Sequence, residues 1–199
     1  MQQIEFMYDF GSPNAYLAHK CLTGITQRFE AEVVYCPILI GGVFKATNNQ
    51  PPIMAFAGIP GKVEYMRIEM ARFLERYQIP FQFNPNFPVN TLNVMRAAVF
   101  AQGKLWKTKY IDVVFDAMWV QGKDMSDLEV VAHVLTEADL PVDDIINAMQ
   151  VVDIKSSLAE VTNAAVARGV YGLPTMFLGN EMFFGKDSLS DLEWRLSQP

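Results

Sequence analysis

The chain has 199 residues, 51% hydrophobic and 19% charged, a composition that carries one domain, or one domain with a large insertion, and excludes intrinsic disorder. Its formal net charge of −6 at pH 7 comes without any run of Lys or Arg, which argues against a nucleic-acid partner. No apolar stretch approaches the roughly 20 residues that a bilayer-spanning helix needs. Met1-Gln2-Gln3-Ile4-Glu5 is not a basic region leading into a long apolar one, so no membrane partner and a cytoplasmic location are expected.

Taken in order, Ile4 to Phe10 predicts a strand. Pro13 to about Phe29 predicts a helix with Leu17, Cys21 and Ile25 on one face, and Glu32 to Cys36 a second strand stopped by Pro37. From about residue 45 to 165 the strand signal disappears, and Val63, Met66, Met70, Phe73 and Tyr77 repeat at helical 3-4-3-4 spacing. Gln78 to Asn90, rich in Pro, Phe and Asn, predicts an ordered connection. Helices are expected at about 91–102, 105–121 and 152–168, with a capping box at Ser126-Asp127-Leu128-Glu129 opening another and stops at Gly122 and Gly169. Thr175 to Leu178 and Glu181 to Phe184 then read as a hairpin around Gly179-Asn180, followed by a helix from Ser188 to Leu196.

A β-α-β unit and a β-β-α unit flanking about 120 helical residues make one sheet if both ends join. That is an α/β, thioredoxin-like fold with a large all-helical insertion: residues 1–45 and 166–199 form the thioredoxin-like domain, and 46–165 the insertion. Ligands of such sheets gather where strands end and helices begin. There, in Asp9-Phe10-Gly11-Ser12-Pro13, Ser12 is a favourable N-cap and Pro13 a favourable first helical residue. The hydroxyl and the free N–H groups of the first turn converge at a positive helix end. Such an end stabilises an anion, a thiolate among them. A plain structural cap is the alternative for this pair alone. Fourteen Phe and eleven Met suit an adaptable apolar cavity.

The segments "YDFGSPNAYLA" at the start, "GGVFKATNNQPP" at 41–52, "YQIPFQFNPNFPVNTL" at 77–92 and "GVYGLPTMFLGNEMFFGKD" at 169–187 together resemble the 2-hydroxychromene-2-carboxylate isomerase and kappa-class glutathione transferase family of the DsbA-like thioredoxin group. The resemblance covers nearly the whole chain. It implies glutathione as cofactor, with Ser12 at its sulfur and Pro174 as a cis-proline that leaves the Leu173 backbone free to pair with it. Asn49 matches the family's glutathione-contacting asparagine, and Asp187 matches the acid that holds the γ-glutamyl amine. Lys62 lies near the place of a family lysine, after a segment from Pro52 longer than in the mammalian kappa enzymes. Lys186 stands where the family usually has a small polar residue. The activity implied is interconversion of 2-hydroxychromene-2-carboxylate with trans-o-hydroxybenzylidenepyruvate, in a homodimer acting on small conjugated carbonyl compounds. A transferase or peroxidase is the first alternative, and a non-catalytic glutathione- or peptide-binding protein the second.

No metal is expected, since His19 and His133 lack neighbouring ligands at metal-binding spacing and read as surface or core-edge residues. Cys21 and Cys36 are too far apart for a redox pair and read as buried and inert. Nucleotide-loop and nucleophile-elbow motifs are absent.

Overall fold

A computed structural model describes residues 1–198. Strands β1 (Gln3–Tyr8), β2 (Glu32–Pro37), β3 (Thr175–Leu178) and β4 (Glu181–Phe184) form one sheet in the order β2-β1-β3-β4. β2 runs parallel to β1, and the β3–β4 hairpin joins the other edge of β1 antiparallel, with Phe6 between Tyr35 and Met176 in register. The two ends of the chain therefore build one sheet, and all the intervening elements are helices.

β1 lies at the centre of the sheet, apolar along one face and, on the other, only at Met7 near its end. Ile4, Phe6 and Tyr8 are fully buried on one side, with the Phe6 and Tyr8 rings stacked at 5.7 Å. Burial of each contributes about 2–3 kcal/mol. Met7 projects to the opposite side, into a smaller cluster with Ile38, Val43, Val170, Leu173 and Phe177. The larger cluster continues from Phe6 and Tyr8 through Phe10, Tyr16 and Leu17 into Tyr110, Phe115 and Trp119, so sheet and helical insertion share one core.

Helix α1 (Pro13–Phe29) begins at Ser12 and Pro13 as expected and ends on Glu30 at φ 50. Between the two halves of the sheet lie α2 (Ile40–Thr47), α3 (Pro52–Ala55), α4 (Lys62–Tyr77), α5 (Leu92–Phe100), α6 (Lys107–Trp119), α7 (Leu128–Glu137), α8 (Val142–Ala148) and α9 (Val152–Ala167). A 3₁₀ turn over Lys186–Ser188 leads into α10 (Leu189–Leu196). The predicted apolar stripe of α4 is only half-buried, and its last member, Tyr77, is 43% exposed. The opening of α7 differs from the expected capping box. Asp127 caps it by accepting the Glu129 N–H at 2.8 Å, while Ser126 turns back to Asp124 at 2.6 Å. The reason is competition for one role: Asp127 is adjacent to the first helical residue and its carboxylate is the stronger acceptor. Gly169 and Gly122 end helical segments at φ 95 and 64, and Gly179 turns the hairpin at φ 61. Among the described residues, no helix is long and apolar enough to cross a membrane.

Candidate functional site at the start of helix α1

The link from β1 to α1 is held from several directions. Phe10 gives its carbonyl to the Trp119 indole N–H at 2.8 Å, and the Ser12 N–H bonds the Asp9 carbonyl at 3.0 Å. Ser12 is 4% exposed. Its Oγ accepts the Ala15 N–H at 3.2 Å, which is the capping bond, and donates to the Leu173 carbonyl at 3.1 Å. Leu173–Pro174 is a cis peptide bond, as the resemblance implies, and Phe87–Pro88 is a second, unforeseen one. Ser12 therefore faces the cis-proline segment across 161 residues of sequence.

Three hydrogen-bonding groups at this junction have no partner among the described residues: the N–H of Asn14, the N–H of Leu173, and the buried Oδ1 of Asn14. An unpartnered buried polar atom costs about 1–3 kcal/mol, and two donors and an acceptor around a hydroxyl suit a polar ligand. The Ser12 proton is committed to Leu173, so donation to a ligand requires the hydroxyl to rotate away from that carbonyl. The first turn offers one free N–H, at Asn14, because the Ala15 and Tyr16 amides both bond Ser12.

The other predicted residues connect to this point with one exception. Asn49 donates through Nδ2 to the Tyr171 carbonyl at 2.8 Å and accepts the Gln50 N–H at 2.8 Å, tying the segment after α2 to the segment that carries Leu173 and Pro174. The Gly185 N–H bonds the Pro174 carbonyl at 2.9 Å, which places Lys186 and Asp187 beside the cis-proline. Lys186 is 3% exposed, and its ammonium bonds Asp187 at 2.5 Å and Glu69 of α4 at 3.3 Å over the Phe73 ring. Asp187 itself is largely open, so its free oxygen faces solvent. Lys62 is the exception. It opens α4 with its ammonium over the Phe56 ring at 5.2 Å and bonds none of the others. It does share a helix face with Glu69 and Phe73, seven and eleven residues on.

Asp9 is a site residue that sequence reasoning quoted but did not interpret. It is fully buried. Oδ1 accepts the Gly11 N–H at 2.8 Å and the Thr91 hydroxyl at 2.7 Å, and Oδ2 accepts the Ile40 N–H at 2.8 Å. Burial pushes its carboxyl above the usual carboxylate range, against the pull of those three donors. The available signal was an acid on the link between a strand and a helix, a position that needs acceptors for several helix-start N–H groups.

Neither cysteine takes part. Cys21 and Cys36 are half-buried rather than buried, and desolvation pushes both thiols up to about 11, which makes them unreactive as expected. His133 is exposed, whereas His19 belongs to the core and not its edge. It is 4% exposed, bonded at 2.8 Å to both the Tyr35 hydroxyl and Asp112, and stacked on Phe115. No cluster able to hold a metal ion occurs among the described residues.

Comparison with known proteins identifies the family. The family model of the DSBA-like thioredoxin domain matches residues 3–197. The chain is 31% identical over 195 residues to 2-hydroxychromene-2-carboxylate isomerase of Pseudomonas sp. (strain C18), covering 96% of this chain and 88% of that one. It is 25% identical over 209 residues to glutathione S-transferase kappa 1 of Rattus norvegicus, covering 98% and 91%. The solved structure of a 2-hydroxychromene-2-carboxylate isomerase superposes with a TM-score of 0.85 at 28% identity, covering 98% of this chain and 94% of the other. The chain belongs to the DsbA-like thioredoxin family, in the group of the 2-hydroxychromene-2-carboxylate isomerases and kappa-class glutathione transferases.

Proposed function

We propose that the protein is a glutathione-dependent isomerase acting on 2-hydroxychromene-2-carboxylate or a related aromatic-catabolism intermediate. The observation that carries this reading is the junction of Ser12 with the Leu173–Pro174 bond, where a buried hydroxyl meets a segment with an unpartnered Leu173 N–H and neither cysteine takes part. Bound there, glutathione supplies a thiolate that adds to a conjugated carbonyl system, makes a double bond rotatable, and leaves as conjugation is restored.

The residues divide the binding as follows. The Leu173 N–H pairs with the backbone of the tripeptide in strand-like fashion. Ser12 Oγ and the Asn14 N–H meet the sulfur, and their modest strength keeps it nucleophilic, because nucleophilicity falls with pKa. The open oxygen of Asp187 takes the γ-glutamyl amine. Lys186 lies too deep to meet the ligand and instead fixes Asp187 while tying α4 to the site. Asn49 steadies the 171–174 segment, and Lys62 supplies a cation along the same face of α4. A cytoplasmic homodimer belongs to the same reading, for which sedimentation at twice the chain mass is the check.

The deciding experiment follows the absorbance of 2-hydroxychromene-2-carboxylate with and without glutathione. Conversion that requires glutathione and consumes none of it supports the reading. Conversion independent of glutathione, or no conversion, refutes it. The likeness to the rat kappa enzyme favours one second reading, transfer of glutathione to an electrophile, which would leave a stable conjugate as product.

A further inference from the structure

Asp9 is the only fully buried carboxylate among the described residues. It lies where three helices begin. Gly11 leads into α1, Ile40 is the first residue of α2, and Thr91 is the cap of α5. Each gives it a hydrogen bond of 2.7–2.8 Å. Three donors on two oxygens match an ionised carboxylate, which accepts at both, and the convergent helix starts favour its charge. No Lys, Arg or His forms an ion pair with it among the described residues. The groups bonded to it are those two amides and the Thr91 hydroxyl; the Tyr8 phenol of β1, whose ionisation burial opposes, is a titratable neighbour that makes no hydrogen bond to it.

We infer, on the reading that a ligand thiol is held at Ser12, that Asp9 is a positioning residue whose charge limits how acidic that thiol becomes. The packing leaves little freedom. The carboxylate bonds the amide of the residue before Ser12, its own carbonyl bonds the Ser12 N–H, and a side chain on Gly11 would meet Thr91 at 3.3 Å and Asp9 at 3.4 Å. The anion is thus fixed directly behind the first turn of α1, in surroundings that screen it poorly. The start of α1 lowers the pKa of a thiol there, and Asp9 raises it. The opposition suits catalysis in which the thiolate must both attack and leave, since a thiol pKa near the ambient pH gives the fastest exchange.

The test reports on the field without glutathione. In the variant Ser12→Cys, the pKa of the introduced thiol is read from the pH dependence of its alkylation by iodoacetamide, with and without Asp9→Asn. The inference predicts that Asp9→Asn lowers this pKa by about one unit, a roughly tenfold rise in thiolate below it. An unchanged or higher pKa in a folded double variant overturns the inference and leaves Asp9 a structural pin. If the double variant does not fold, the ¹³Cγ resonance of Asp9 in Ser12→Cys alone decides, because coupled groups register each other's titration. A step at the thiol pKa supports the inference, and a flat signal overturns it. Glutathione that fails to bind, while the introduced thiol responds to Asp9, sinks the cofactor reading and not the electrostatic one.

Discussion

Replacing Ser12 by Ala separates the two jobs that the structure gives its hydroxyl. The first is structural. Ser12→Ala removes the acceptor of the Ala15 N–H, at about 1 kcal/mol for a lost N-cap, and the donor to the Leu173 carbonyl in a 6%-exposed position, at about 1 kcal/mol more. The sum of about 2 kcal/mol corresponds to a fall in Tm of about 4–8 °C for a chain of this size. The second job is at the sulfur. A hydrogen bond to a charged acceptor contributes about 1.5–3 kcal/mol, of which about 1 kcal/mol offsets the Leu173 bond that the hydroxyl must give up. The difference corresponds to about one pKa unit. Titrating the thiolate absorbance of bound glutathione should therefore give a pKa about one unit higher in Ser12→Ala than in the wild type. A lowered Tm with an unchanged thiol pKa would show that Ser12 is a cap and nothing more.

Three further outcomes follow from the same geometry. Asp187→Asn should weaken glutathione binding about tenfold by calorimetry, the scale of one charge-assisted hydrogen bond, with little change in Tm because that carboxylate is exposed. Lys186→Met keeps an unbranched buried side chain but loses the ammonium over Phe73 and its bonds to Asp187 and Glu69, and should weaken binding several-fold. Equal affinity in both variants and the wild type would remove this end from the site. Cys21 and Cys36, with pKa values pushed up to about 11, should react with thiol reagents near pH 8 about a hundredfold more slowly than a free cysteine. The unfolded chain loses these protons first, so they lower stability as pH rises from about 8.5 toward 11. Chemical denaturation at pH 8 and pH 10 should show the wild type losing more stability than a variant with both replaced by Ala.

The sheet and the large insertion were legible because their signals are local. Ile4, Phe6 and Tyr8 alternate with period two, Ser12-Pro13 marks a helix start, and Gly179-Asn180 marks a hairpin turn. The short helices α2, α3 and α8 escaped notice, as four to eight residues give too few turns for a period to register. The half-exposure of α4 was also hidden, since a stripe shows which face is apolar and not how much covers it. At the site, the segments holding Ser12, Asn49, Pro174 and Asp187 stood out through their resemblance to a family. Their connections did not, because the bonds of Ser12 to Leu173 and Asn49 to Tyr171 join residues 161 and 122 positions apart. For the same reason Asp9 went uninterpreted, and His19 was placed at the core edge or surface rather than in the core. Each is explained by partners brought together only when α2, α5 and α6 pack on the sheet.

The most direct measurement is a crystal structure of the protein with glutathione. The account predicts the tripeptide's sulfur within hydrogen-bonding distance of Ser12 Oγ and the Asn14 N–H, with the Ser12 hydroxyl turned away from the Leu173 carbonyl and the tripeptide backbone paired to the Leu173 N–H. A sulfur elsewhere, with the bond from Ser12 to Leu173 intact, contradicts it.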